Sequence, residues 1–236
     1  MNQPLWLRVR APFAAFRWLQ AGVYRATSPI MPYSAAWGLI LNLAHIESRD
    51  LAATRKKASP VTLTRADAPA LKLALGTTQP SEKATLYQQL HSYPVGSSGK
   101  ELAKRTHGSK YWIAPAKREL LVDLDMQIGI QSPDEGFPAR LRAGLRGDLD
   151  VPRYGLPFAG DNDLLFDRIE LTDDPAPARW YTPVAAEDDQ RRGSCRLTVA
   201  IDRRDASRTE APLFAPGEPA AEPPAEAWRW CPGAPA

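Results

Sequence analysis

Arg118-Glu119-Leu120-Leu121-Val122-Asp123-Leu124-Asp125-Met126-Gln127-Ile128-Gly129-Ile130 is the stretch that decides the fold. Leu120, Val122, Leu124, Met126, Ile128 and Ile130 recur at every second position, the period of a strand that buries one face. Such a strand needs strand neighbours and a covering layer. Upstream, Leu5, Leu7 and Val9 alternate with Trp6, Arg8 and Arg10, which predicts an opening strand ended by Ala11-Pro12, since proline cannot donate to a ladder. Leu71-Lys72-Leu73-Ala74-Leu75 predicts another; Leu164–Leu171 and Cys195–Ile201 predict two more, with Trp180-Tyr181 in a further one.

Two helices fall between these strands. Ser34 is placed to cap a helix running to about Glu47, with Trp37, Ile40, Leu41 and Ala44 on one face. Gly38 costs that helix about 1 kcal/mol relative to alanine, which points to close packing or the close approach of another chain. Asp134 is the expected cap of a second helix, Phe137, Leu141 and Leu145 are its stripe, and Gly144 or Gly147 its end. The order is βαββαβ plus extra C-terminal strands: an α+β, ferredoxin-like or RRM-like palm. Residues 82–115 interrupt it as an inserted hairpin centred on Val95-Gly96-Ser97-Ser98-Gly99. The palm and its insertion fill residues 1–210. Residues 211–236, with seven prolines, form a tail without a packed core of its own, which Trp228 and Trp230 dock onto the body or a neighbour.

With 236 residues, 44% of them apolar, the chain can bury a real core. Its longest largely apolar run, Ala35–Ile46, is too short to span a bilayer, and Arg8, Arg10 and Arg17 interrupt what would be a signal peptide's apolar region. Cys195 and Cys231 are too few for a disulfide framework and lack zinc-site spacing. These features predict a soluble, cytoplasmic protein with no membrane contact. No cofactor or metal is expected. There is no phosphate-binding loop, nucleophile elbow or dinucleotide fingerprint. Asp161-Asn162-Asp163 lacks the remaining spacing of a calcium loop, and Asp123 and Asp125 read as solvent-exposed.

The net charge of +3 conceals an asymmetry: residues 1–120 carry a balance of +11 and the remainder −8. A basic first half suits a polyanion, an acidic second half suits solvent or a basic partner, and chance clustering on a solvated surface is the plain alternative. Binding a short single strand needs phosphate neutralisation, π-faces for stacking and polar groups for base edges. The stretch Phe13–Ser34 offers all three, with Arg17 and Arg25 as phosphate ligands and Tyr24 as a stacking platform; packing of the loop is the alternative. Free N–H groups at Ser34 and Ala35 are a second phosphate candidate, weighed equally against a simple cap. Lys104, Arg105, Lys110 and Tyr111 form a further RNA-binding set on the insertion, against the alternative of a solvated basic hairpin. Trp37 and His45 read as core.

Leu7-Arg8-Val9-Arg10-Ala11-Pro12-Phe13-Ala14-Ala15-Phe16-Arg17, Tyr24-Arg25-Ala26-Thr27-Ser28-Pro29 and Pro32-Tyr33-Ser34-Ala35-Ala36-Trp37-Gly38-Leu39 together resemble the N-terminal signature of the Cas-five family of CRISPR-associated RAMP proteins. Tyr154–Gly160 and Ser194–Asp202 resemble its DevS-like branch more loosely. The resemblance implies a palm with a protruding thumb, a non-catalytic subunit of a type I CRISPR effector (Cascade) that holds the 5′ handle of the crRNA. The implied partners are Cas-seven backbone subunits, a Cas-eight-type large subunit, and target DNA near the complex. An aromatic RNP motif and a C-terminal glycine-rich loop are not found. One branch of the family cleaves its own repeat RNA without metal, so a metal-independent endoribonuclease using residues such as His91, Tyr93, Lys100, His107, Lys110 and Tyr111 is the alternative. A generic single-strand binder is the third reading.

Overall fold

The computed structural model describes residues 3–21, 23–50, 63–94, 111–185 and 191–233. The fold is organised by β6 (Tyr111–Gln131), a strand of 21 residues. Its C-terminal half pairs antiparallel with β1 (Leu5–Ala14) on one side and β4 (Leu71–Thr77) on the other. The far edge of β1 receives β7 (Arg168–Thr172), so the central sheet runs β7-β1-β6-β4. Between these strands the chain inserts α1 (Tyr33–Leu43) after β1 and α2 (Phe137–Arg146) after β6.

Both helices contribute to a single core on one face of the sheet. Leu7 and Val9 of β1, Leu71, Leu73 and Leu75 of β4, and Met126, Ile128 and Ile130 of β6 meet Ile40 and Leu41 of α1 and Phe137 and Leu141 of α2. Each such fully buried side chain contributes roughly 1.5–3 kcal/mol. The helices cross at Gly144, where a Cβ would land on the backbone carbonyl of Leu43. Arg140 of α2 caps α1, its Nε donating to the Ala44 carbonyl at 2.8 Å and its Nη2 to that of His45 at 3.2 Å.

The other sheet face is sealed at one end by indoles. Trp6, Trp180 and Trp228 stack at tilted angles with ring centroids 5.9 and 6.1 Å apart. A Cβ at Gly129 would stand 2.7 Å from Trp228 and 2.8 Å from Trp6, so glycine is what lets both rings approach the β6 backbone. Further along this face Arg8 grips Asp125 through Nε at 3.0 Å and Nη2 at 2.6 Å, with Arg10 at 3.7 Å. Asp125 is therefore buried in an ion pair and not exposed as its sequence context predicts, while Asp123 is exposed with a φ of 55°. That left-handed residue reverses the alternation of β6: Leu121, and not Val122, joins the core.

Several boundaries differ from the sequence expectation. β1 continues through Ala11-Pro12 to Ala14, because its pairing with β7 ends at Arg10 and the proline falls where the strand has one neighbour. The basic aromatic stretch that follows forms a hairpin of β2 (Arg17–Ala21) and β3 (Tyr24–Thr27). Pro32, not Ser34, holds the N-cap position of α1, which ends at Leu43 and leaves His45 outside it with a φ of 52°. Gly136 occupies the N-cap of α2, with Asp134 accepting from its amide at 2.8 Å, and Gly147 closes that helix in the left-handed conformation at φ 80°. β5 (Glu82–Pro94) pairs with β6 from Glu82↔Val122 to Pro94↔Tyr111, so the insertion is a long ribbon.

Beyond β7 come β8 (Ala178–Pro183) and β9 (Cys195–Arg196). Most of the expected strand Cys195–Ile201 instead tracks residues 210–212 through amide bonds from Leu197 and Val199. Residues 213–220 form β10 and residues 229–231 form β11, so much of the proline-rich C-terminal segment is woven into the sheet. β10 joins β8 with a register shift between Pro216 and Pro219, where the ladder accommodates residues without an N–H. β11 pairs with β4, and Phe214, Ala215, Ala227 and Cys231 are fully buried.

Candidate nucleic-acid interface

The ribbon positions the residues singled out for RNA contact. β3 lies parallel to β6 with Tyr24 opposite Lys117 and Arg25 opposite Arg118, and β5 adds Tyr87 and Leu86 to those two rows. Successive residues of a strand face opposite sides. The row Tyr24–Lys117–Tyr87 therefore lies on one face of the ribbon, and Arg25–Arg118–Leu86 on the other.

On the arginine face, Arg17, Arg25 and Arg118 line a cleft of about 230 Å³ with Phe16, Gly160 and two carboxylates, Asp161 and Glu119. Two arginines directly opposite each other in a sheet repel. Asp161 relieves this by pairing with Arg118, and its own backbone turn is fixed by accepting from the Asp163 amide at 3.2 Å. Burial pushes the Asp161 carboxyl up, but bonds from Arg118 and the Asp163 amide, with the Arg118 and Arg25 charges, outweigh it and leave the carboxyl below its ordinary value. Asp161 is thus a partner of arginine. Arg17 is exposed and Arg25 half-buried. Among the described residues no group of His, Cys, Asp or Glu is placed to hold a metal.

On the other face, Tyr24 is 37% exposed, its ring available while its hydroxyl donates to Glu119 at 2.7 Å. Glu119 also accepts from the Thr27 amide at 3.0 Å and Lys83 at 3.4 Å. Burial raises the Glu119 carboxyl, yet these bonds prevail and hold it below its ordinary value. Tyr87, 67% exposed, is the most open aromatic of the ribbon described here.

The residues expected to act together are thus divided. Arg17 and Arg25 share the cleft; Tyr24 does not line it, although its hydroxyl reaches the cleft residue Glu119. Ser34 and Ala35 lie elsewhere, at the start of α1, and their amides are already used: Ser34 donates to Thr198 at 2.9 Å and Ala35 to Pro32 at 3.0 Å. The free N–H groups expected there are absent. Lys104, Arg105 and Lys110, with Lys100 and His107, fall outside the described residues, and Tyr111 is placed only as the first residue of β6. Trp37 is buried, its indole donating to Pro69 at 2.8 Å. His45 is half-buried beside the Val151 carbonyl at 2.5 Å. Arg118, Lys117 and Tyr87 were not anticipated. Only the strand register reveals them, because each belongs to a segment whose pairing partner lies far away in sequence.

No protein-family model and no curated protein sequence matches the chain. The solved structures do. A chain of a CRISPR RNA-guided surveillance complex superposes with a TM-score of 0.55, covering 95% of this chain and 96% of that one at 12% identity. The two share a fold. A Cas protein (TM-score 0.43, 12% identity, 91% and 94% covered) and a CRISPR-associated protein (0.35, 10%, 70% and 64%) are looser likenesses. The shared fold is mixed α and β, mostly sheet with few helices, and spans nearly the whole of both chains. Among the described residues no helix is long and apolar enough to cross a membrane.

Proposed function

We propose that this chain is a non-catalytic subunit of a type I CRISPR effector complex and that its arginine cleft grips the 5′ handle of the crRNA. One observation carries the reading. Arg17, Arg25 and Arg118, which come from three strands, converge on one cleft in a fold shared with a chain of an RNA-guided surveillance complex. Guanidinium forks bind phosphate oxygens bidentately, and three around one cleft suit a bend in a ribonucleotide backbone. The βαββαβ order with strand sequence β7-β1-β6-β4 supports a ferredoxin-like palm, with the β5–β6 ribbon as its thumb. The acidic second half of the chain suits protein neighbours, for which a Cas-seven backbone subunit and a Cas-eight-type large subunit are the proposed partners.

The test is binding of single-stranded RNA carrying the 5′ segment of the repeat from the same genome's CRISPR array, against a scrambled oligomer. Preference for the repeat segment, lost in Arg25→Glu, is expected; equal affinity for both refutes the handle role. Incubation with whole repeat RNA in chelator addresses catalysis. Site-specific cleavage that disappears in His91→Ala or His107→Ala would replace the non-catalytic assignment with an endoribonuclease.

A further inference from the structure

Gly38 lies mid-way along α1, where glycine weakens a helix relative to alanine, and the described residues give no packing reason for it. A Cβ built there meets no heavy atom within 4 Å, whereas the glycine of α2, Gly144, is pressed against the Leu43 carbonyl. Gly38 borders two cavities, and the one of about 430 Å³ is walled by Phe16, Met31, Leu39, Tyr154 and Phe158, with the Arg49 guanidinium lying 4.8 Å over the Tyr154 ring. Apolar walls with a few placed polar groups are the usual make-up of a small-ligand pocket. Asn42 is one such group. It lines the cavity at 5% exposure, its Nδ2 donates to the Gly155 carbonyl at 3.2 Å, and its Oδ1 has no partner among the described residues. A buried acceptor without a donor is unfavourable, so this oxygen is suited to an incoming N–H. The cavity also adjoins the arginine cleft, since Phe16 and Gly160 line both.

We propose that this cavity receives one nucleobase, splayed out of the strand whose phosphates lie in the arginine cleft. The base packs its flat faces on the aromatic walls and donates an edge N–H to Asn42 Oδ1, a small adjustment of the side chain opening that oxygen to it. Single-stranded RNA is read in this manner, by unstacked bases on aromatic rings with their edges hydrogen-bonded. An apolar side chain from a protein partner would fill the walls but leave Asn42 Oδ1 unpaired. The inference rests on the RNA-binding reading above.

The experiment uses the full chain and single-stranded RNA with the repeat-derived 5′ segment, in a series where one position at a time carries an abasic ribose. Wild type should lose roughly tenfold in affinity at a single position, the scale of one base–aromatic stack. Gly38→Met, which adds a side chain at a residue that lines the cavity and not the cleft, should bind the unmodified RNA as weakly as wild type binds that abasic oligomer, and should be indifferent to the abasic site, with a thermal midpoint not below wild type. Gly38→Ala, a smaller filler, should show the same trend if methionine disturbs folding. Uniform binding across the abasic series, or full RNA affinity in both Gly38 variants, overturns the base pocket while leaving the RNA-binding reading intact. Full RNA affinity in Gly38→Met together with loss of a partner subunit would give the cavity to a protein side chain. No RNA preference in wild type removes both readings.

Discussion

Neutralising Arg17 and Arg25 together should flatten the salt dependence of RNA binding by an amount the cleft itself fixes. Each phosphate contact on a single strand contributes about −0.7 to the slope of log K against log salt. Three arginines and two carboxylates line the cleft; Arg118 is already paired with Asp161 and Glu119 with Lys83, which leaves two charges to displace counterions. Arg17→Gln/Arg25→Gln should therefore reduce the slope by about 1.4, so that between about 50 and 200 mM salt wild type loses roughly sevenfold more affinity than the variant. Asp161→Asn offers the opposite sign: it frees Arg118 and should steepen the slope by about 0.7. Fluorescence anisotropy with an end-labelled single-stranded RNA, titrated at four or more salt concentrations, reads both. An unchanged slope in the double variant would refute the reasoning, because it would mean that phosphate is bound elsewhere.

Three further outcomes follow from the packing. Gly144→Ala drives a Cβ into the Leu43 backbone and should destabilise by about 1–3 kcal/mol despite its helical gain, whereas Gly38→Ala, with open space around it, should stabilise by about 1 kcal/mol; paired urea denaturations decide. The lowered Glu119 carboxyl contributes stability above its ordinary value of 4.5, and this is lost as pH falls through the folded value. Wild type should accordingly lose more stability than Glu119→Gln on acidification below about pH 5, and parallel unfolding curves for the two would count against the ribbon contacts. Burial pushes both Cys195 and Cys231 thiols up to about 12, so at about pH 8 neither should react with a disulfide reagent until the chain unfolds; prompt labelling of either in the native state contradicts the packing.

The sheet was legible where apolar side chains alternate with polar or small ones along a strand. Leu5, Leu7 and Val9, the leucines of β4, and Met126, Ile128 and Ile130 each carry their period in their own segment, and the helices announce themselves by stripe and by Gly147. What the alternation could not register was a single backbone event: the left-handed Asp123 shifts burial from Val122 to Leu121. The β2–β3 hairpin escaped because Arg17, Trp18, Val23 and Tyr24 are exposed, so no buried apolar period marks it. β10 and β11 escaped because prolines argue against strands, and here a register shift absorbs them. The site was half legible for the same reason. Charge and aromatic content located Arg17, Tyr24 and Arg25, but which face each occupies depends on pairing with β6, some 90 residues away. Ser34 is a good capping residue by type, and the choice of Pro32 instead is a tertiary matter, since Ser34 gives its amide to Thr198.

The pairing of β1 with β6 has a consequence for synthesis. Leu5 must meet Ile130, and the Arg8–Asp125 ion pair spans 117 residues. At translation speeds of about 5–20 residues per second, an emerging β1 waits roughly 6–23 s before its central partner leaves the ribosome. During that interval Leu5, Trp6, Leu7 and Val9 form an extended apolar segment with no ladder to enter, the kind of segment that holdase chaperones retain. Protein yield in cells should accordingly depend on what shelters β1 while it waits for β6. Relocating β1 in the chain so that it follows β7 would bring these partners within a few dozen residues and remove most of the delay.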